Sequence, residues 1–292
     1  MNLRTLEYLV KVAETRHFSK AANQCCVTQP TLSTQLKKLE NHLGVIIFER
    51  DNKNVMLTPL GAKLVSQAKQ VLLEAKQLKV IAKNSINPLS GKYNLGIIPS
   101  IGPYLIPDLL QKTKSQLKDL KVFVVEDRVE SLIDMLRNGQ LDAILLSTPF
   151  SNDHNLSKKV VFEEEFFIAM PEGHSLAKHD VIKIEDLASE TMLSLDEHHC
   201  MRAQTQDILV SKPLSKEFKA SSLATLKHLV AQGHGLTILP KMVCSDIPQG
   251  IVIKPIQSNG ETFKREISLV TRNLSVRSEA NKAIESIIET CQ

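Results

Sequence analysis

Leu3, Leu6, Leu9, Val10 and Ala13 recur at helical spacing through NLRTLEYLVKVAETRHF, so one face of a first helix is set for burial. The pattern breaks at Phe18, and Ser19 is placed to cap a short second helix, KAANQCC, which Val27 and Thr28 interrupt. Thr28 can cap a third helix, QPTLSTQLKKLENHLG, with Pro30 in its first turn, where the missing N–H costs nothing. That helix is expected to bury Leu32, Leu36, Leu39 and Leu43 and to stop at Gly44. Three short helices, the last two joined by a tight turn, read as a helix-turn-helix. VIIFER and VMLT then flank the turn-former DNKN, the pattern of a β-hairpin wing.

A long helical pattern follows. In LTPLGAKLVSQAKQVLLEAKQLKVIAKNS, residues Leu64, Ala68, Val71, Ala75, Leu78 and Ala82 follow alternating spacings of four and three, the seam of a coiled coil. A helix pairing with a second copy fits this spacing, and so does a helix lying on its own domain. INPLSGK breaks the pattern, and beyond it apolar runs alternate with helical ones: YNLGIIPS, PYLIPDLLQKTKSQL, KVFVVED, VESLIDMLRNG, LDAILLS. This is a βαβαβ signature for a parallel sheet. EEFFIAMP, TMLSLD, KEFKAS, LTILPK, IVIKPI and REISLVTR read as further strands, enough for two α/β lobes with a ligand site between them. The predicted organisation is a DNA-binding module over 1–60, a linker or dimerisation helix over 61–88 and a regulatory domain over 89–292.

Charge sharpens this picture. The chain carries +4 overall, yet residues 1–90 hold 13 Lys and Arg against 6 Asp and Glu, while the remainder holds 23 against 26. A basic segment ahead of a slightly acidic body points to nucleic acid as the partner of the first part. Thr28, Gln29, Pro30, Thr31, Ser33 and Thr34 open the third helix away from its leucine stripe, and their short polar groups suit base edges and phosphate oxygens. Lys37 and Lys38 add attraction to the backbone, and Arg50 and Lys53 place charge on the wing. A three-helix bundle with a solvated polar face is the plain alternative. No stretch approaches the roughly 20 apolar residues a bilayer span needs, and Met1-Asn2-Leu3-Arg4 leads into the first helix rather than a signal peptide, so a cytoplasmic protein with no membrane partner is expected.

Enzyme motifs do not emerge. GxGxxG, the P-loop, HExxH and GxSxG are all missing, so neither an enzyme nor a bound cofactor is expected. Ser100, Gly102 and Pro103 follow a strand and open a helix, which makes either an anion-favouring N-terminus or a sharp turn. AQGHGLTILP places two glycines between helix and strand as a tight connection. Five cysteines, Cys25, Cys26, Cys200, Cys244 and Cys291, are too scattered for a disulfide framework and lack zinc spacing, so no metal is expected. Cys200, in SLDEHHCMRAQTQDIL, falls where a helix begins, and a helix N-terminus favours thiolate. His198, His199 and Arg202 can supply positive charge or hydrogen bonds. An inert buried cysteine fits the same residues, and three adjacent ligands converge poorly on one zinc tetrahedron.

FSKAANQCCVTQPTLSTQLKKLENHLGVIIFERDNKNVMLTPLG resembles the winged helix-turn-helix of LysR-type transcriptional regulators. The whole chain fits their architecture: an α/β protein with that module, a long linker helix and a two-lobed effector domain like the periplasmic binding proteins. GIIPSIGPYLIP, LDEHHCMRAQ, SSLATLKHLVAQGHGLTILP and KREISLV resemble the peroxide-sensing OxyR branch. The resemblance implies Cys200 as the peroxide-reactive thiol, His199 beside it, Ser100 where the branch has a peroxide-positioning threonine, Arg265 as a stabilising cation and Thr237 in the same redox site. It also implies double-stranded promoter DNA, self-association as a homodimer through the linker helix and as a homotetramer, RNA polymerase, and hydrogen peroxide or another small ligand as partners. Three positions depart from the branch: Leu209 replaces a resolving cysteine nine residues after the first, Ala203 an aspartate, and Val129 a threonine. Cys244 and Cys291 are the remaining disulfide candidates for Cys200. A one-cysteine switch, or a regulator that answers another ligand or none, follows if neither pairs.

Overall fold

The first six elements bury a leucine-rich core of their own. In the computed structural model, which describes the chain except residues 52–53, 85–86, 148–153, 197–198, 210–213, 216, 219 and 292, residues 1–86 and 87–292 form two compact units. The first holds helices α1 (Leu3–Thr15), α2 (Phe18–Gln24) and α3 (Gln29–Leu43), the antiparallel pair β1 (Phe48–Asp51) and β2 (Asn54–Leu57), and helix α4 (Pro59–Asn84). Leu9, Val12, Leu32 and Leu36 are buried at its centre. Thr28 caps α3 by accepting from the Thr31 N–H, and Gly44 ends it in the left-handed region at φ 69°. Glu40 Oε1 accepts from the Ile47 and Phe48 N–H groups at 2.9 and 3.2 Å, which ties the wing to α3.

Several details differ from the sequence pattern. The chain breaks at Arg16 (φ 49°), not at Phe18, because Phe18 is needed in the core, where its ring meets Phe48 edge-on at 5.9 Å. The cap of α2 is therefore His17, whose Nδ1 accepts from the Lys20 N–H, and Ser19 donates to Gln29 Oε1 instead. Leu43, at the last turn of α3, is 39 % exposed. On α4, Leu64, Val65, Ala68 and Leu72 pack into the unit's own core, whereas Val71 and Leu78 are exposed. One helix thus carries two apolar faces, and the 4,3 spacing runs across both.

In the second unit, parallel strands β3 (Gly91–Ile97), β4 (Leu120–Glu126) and β5 (Ala143–Leu146) alternate with α5 (Gly102–Gln116) and α6 (Val129–Arg137). Strand β6 (Leu156–Pro171) is long enough to serve two cores, and it is followed by the short β7 (Ile182–Lys183), helices α7 (Cys200–Ile208) and α8 (Leu223–Ala231), and strand β8 (Thr237–Pro240). Strands β9 (Ile251–Ser258), β10 (Glu261–Thr262) and β11 (Lys264–Arg272) and helix α9 (Ser278–Glu289) complete it. The order is β10-β9-β6-β11-β5-β3-β4, with β7 on β9 and β8 on β6. One apolar core gathers around β3, β5 and α9, and a second around the far half of β6 with β8 and α8. β6 and β11 cross between these two lobes as antiparallel partners, and Glu164 faces Arg265 in their register.

TMLSLD and the described residues of KEFKAS do not form strands. They make single bridges, Met192 to Leu214 and Leu236, and Leu195 to Ala220, while Met192, Leu193 and Leu195 are buried. Apolar burial without a continuous ladder gives the same sequence pattern as a strand. Gly235 lies at φ 150°, and a Cβ there would stand 2.5 Å from the Thr191 carbonyl oxygen, so the segment approaches as closely as only glycine allows.

Leu36 is fully buried between α1 and α3. Leu36→Ala is expected to lower the stability of the N-terminal unit by about 2–5 kcal/mol, seen by calorimetry as an earlier transition.

Candidate functional site

Two places bring the predicted residues together. On α3, Thr28, Gln29, Pro30, Thr31, Thr34 and Lys37 are exposed at or near its N-terminal end, and Ser33 is half-buried. The two threonine hydroxyls lie 2.8 Å apart, so Thr28 both caps the helix and orients Thr31. Arg50 lies on β1, opposite Val55 in the register; Lys53 lies outside the described residues.

The second place lies where the lobes meet. Cys200 is the first residue of α7, is half-buried and packs against both cores. Its Sγ lies 3.4 Å from the hydroxyl of Ser100, which is fully buried just after β3. Ser100 in turn accepts from Arg265: Nη1 reaches its hydroxyl at 3.0 Å and Nη2 its carbonyl at 3.2 Å. Nη1 also donates to the Ser147 hydroxyl at 3.3 Å. Arg265 Nε and Nη2 converge on Glu164 Oε1 at 2.7 and 2.6 Å, and Glu164 Oε2 accepts from the Met242 N–H at 2.9 Å. Each of its three nitrogens donates to one of these partners, and the Ser100 hydroxyl stands between the guanidinium and the sulfur. That hydroxyl accepts from the thiol and can rotate to donate to the thiolate.

His199 does not supply the positive charge the sequence suggested. Burial, opposed by Asp196 and aided by Arg265, holds its ring below the usual imidazole range. Its Nδ1 caps α7 by accepting from the Met201 N–H at 3.3 Å, which requires the neutral ring, and lies 3.8 Å from Cys200 Sγ. Arg202 turns away, donating to Ser194 Oγ and to the Leu195 carbonyl, and His198 lies outside the described residues. Thr237 is buried on β8, where its hydroxyl donates to the Leu193 carbonyl rather than to Cys200.

Neither remaining cysteine pairs with Cys200; all five thiols are free. Burial, with the Glu164 charge second, pushes Cys244 up to about 12, and its Sγ contacts the Pro240 carbonyl oxygen. Burial also raises Cys291, which contacts the Ile287 carbonyl oxygen. Leu209 is buried in the second core, and Val129 packs against the first at the start of α6. The side chain of Ala203, within α7, lies outside the described residues.

Glu164, Ser147 and Gln204 escaped the sequence reading. Gln204, one helical turn after Cys200, donates to the Ser147 carbonyl and hydroxyl, and its Oε1 is buried without a partner among the described residues. Its i+4 position was the one available signal. Glu164 had only its place in an apolar strand. Beside His199 opens a cleft of about 510 Å³, lined by Tyr104, Glu126, Ser222, Lys227 and Asp246 among others. Among the described residues no group of His, Cys, Asp and Glu could hold a metal, and no helix is long and apolar enough to cross a membrane.

A winged helix-turn-helix ahead of a two-lobed body, with its polar cluster between the lobes, defines a DNA-binding regulator governed by a signal. Residues 3–62 match the bacterial regulatory helix-turn-helix protein family, lysR type, and residues 87–292 match the LysR substrate binding domain. The chain belongs to the LysR family of transcriptional regulators, which are not enzymes. It is 36% identical over 274 residues to a hydrogen peroxide-inducible genes activator of Haemophilus influenzae, covering 93% of this chain and 91% of that protein. It is 38% identical over 244 residues to the DNA-binding transcriptional dual regulator OxyR of Escherichia coli, covering 83% and 80%. A full-length OxyR variant from Pseudomonas aeruginosa superposes with a TM-score of 0.81 at 34% identity over 100% of this chain and 96% of that one. A Corynebacterium glutamicum OxyR variant with hydrogen peroxide bound gives 0.65 at 30% identity over 99% and 94%.

The lowered His199 has a measurable consequence. The unfolded chain takes up this proton at higher pH than the folded one, so His199 leaves stability unchanged well above the usual imidazole range and costs stability progressively as pH falls through and below it. His199→Asn keeps a capping acceptor, and its unfolding midpoint is expected to fall less than that of the parent between pH 7 and pH 5.

Proposed function

We propose that this regulator responds to hydrogen peroxide through Cys200. The observation that carries the reading is the chain of contacts from Cys200 Sγ to the Ser100 hydroxyl and on to the Arg265 guanidinium, at the one point where the thiol touches both cores. The thiolate attacks one peroxide oxygen; the S–O bond forms as the O–O bond breaks, and the departing hydroxide takes a proton to leave as water. Sulfur loses two electrons and becomes sulfenic acid. The unpartnered Gln204 Oε1 offers an acceptor to a peroxide O–H, and Ser100 offers a hydroxyl. With Leu209 where a resolving thiol would stand, oxidation stops at one cysteine: the added oxygen, or a mixed disulfide with a small cellular thiol, alters packing between the lobes. A cleft beside His199, large enough for a small metabolite, supports the second reading, in which another ligand supplies the signal.

Promoter DNA is read by α3, with Lys37 and the wing at phosphates. A dimer through the outward face of α4, bearing Val71 and Leu78, sets two such helices on a two-fold site, and a tetramer and contacts with RNA polymerase follow the same plan. The cytoplasm, which holds both DNA and reduced thiols, is its compartment.

Brief low peroxide on the reduced chain, followed by peptide mass spectrometry, is expected to modify Cys200 well before the other four cysteines, with Cys200→Ser inert. Reaction at the rate of an ordinary thiol would turn the assignment to the cleft ligand. Lys37→Ala is expected to weaken promoter binding about equally across sequences and to reduce the salt slope by about 1, read by anisotropy titration at several salt concentrations.

A further inference from the structure

Glu164 belongs to neither the DNA face nor the group of residues expected to handle peroxide, yet it is a buried carboxylate with both oxygens engaged. It sits on β6 where that strand passes from one core to the other, directly opposite Arg265 on β11, and both side chains are almost wholly buried, 5 % and 2 % exposed. One carboxylate oxygen accepts from Arg265 Nε at 2.7 Å and pairs with Nη2 at 2.6 Å, and the other accepts from the Met242 N–H. This close pairing on one side of the guanidinium leaves Nη1 on the other side to donate to the Ser100 and Ser147 hydroxyls.

We propose that Glu164 is a positioning residue of the thiol site, which clamps Arg265 and offsets its charge, and so sets how strongly Cys200 reacts. This rests on Cys200 being the sensing thiol. A guanidinium aimed at Ser100 with no anion behind it would hold the thiolate more firmly; the paired one holds it less. Glu164 therefore acts as a brake, keeping the thiol responsive only to a real rise in oxidant. The reach of its charge is visible on the other side: after burial, Glu164 is the largest cause raising the Cys244 thiol, with Lys227 opposing it. Other titratable or charged groups facing this neighbourhood are His199 and Asp196 before α7, Asp246, which pairs with Lys227, and Tyr104 on α5, whose phenol is raised by burial and then by Asp246 and Cys244, with Arg265 opposing. None of these lies between Glu164 and Arg265 in the hydrogen-bond chain, so the pair can be varied by itself.

The test follows the rate of Cys200 alkylation by iodoacetamide against pH in the full chain, with the other cysteines serving as internal references by peptide mapping. Glu164→Gln keeps the acceptor and removes the charge; its profile is expected to move to lower pH, so that alkylation on the acid limb runs about three- to ten-fold faster than in the parent. Arg265→Gln is expected to move the profile the other way, and adding Glu164→Gln to it is expected to change nothing more, because the carboxylate works through the guanidinium. Should Glu164→Gln fail to fold, Glu164→Asp, too short to hold both Arg265 and the Met242 N–H, is expected to shift the profile in the same direction by less. An unchanged profile in the variant that folds, or a shift that persists without Arg265, overturns the proposal. Alkylation needs no peroxide, so a wild-type thiol that ignores peroxide would remove the sensing assignment while leaving the role of Glu164 measurable.

Discussion

A buried guanidinium is costly unless every N–H finds an acceptor and its charge finds a partner. Arg265 finds both kinds of partner: Glu164 accepts from Nε and pairs with its charge, the Ser100 hydroxyl and carbonyl accept one donor each, and the Ser147 hydroxyl another. These partners come from β6, the turn after β3 and the end of β5, so meeting the needs of one side chain fixes where several elements of the regulatory domain sit. Glu164 extends the constraint through the Met242 N–H to the segment that carries Cys244. Because these partners share one buried guanidinium, their contacts are coupled rather than independent.

Cys200 is attached to this arrangement without being part of its rigid frame. Its sulfur rests on Ser100 and beside a neutral His199, and its helix is tied back to the first lobe by Gln204 on Ser147. A chemical change at the sulfur therefore acts on the contacts that join the lobes. A buried Leu209 stands at the end of the same helix, so among the described residues α7 offers no second thiol beside Cys200.

The N-terminal unit follows a simpler logic. Its helices are set by caps and leucines: Thr28 and Gly44 bound α3, and the same Thr28 holds Thr31 on the outer face. Helix α4 divides its apolar surface, giving Leu64 and Ala68 to its own core and leaving Val71 and Leu78 outward. Of the two sequence readings of that helix, its packing on its own domain is observed; Val71 and Leu78 lie outside that core.

Local signals settled much of this protein: the helix-turn-helix with its wing, the βαβαβ opening of the second domain and the cysteine at a helix start could all be read from residues close together in the chain, because caps, turns and 3.6- or 2-residue periods are short-range physics. Where burial rather than backbone decided, the pattern misled. TMLSLD buries Met192, Leu193 and Leu195 as a strand would but forms isolated bridges, and Phe18 enters the core from a position that reads as a break. The charge around the thiol was the least legible. His199 and Arg202 stand close to Cys200 in sequence, yet burial holds the His199 ring below the usual imidazole range and Arg202 faces elsewhere, while the guanidinium that meets Ser100 comes from residue 265 and its counterion from residue 164. Adjacency in the chain does not report direction, and the pairing of Glu164 with Arg265 exists only because two strands crossing between the lobes place them face to face.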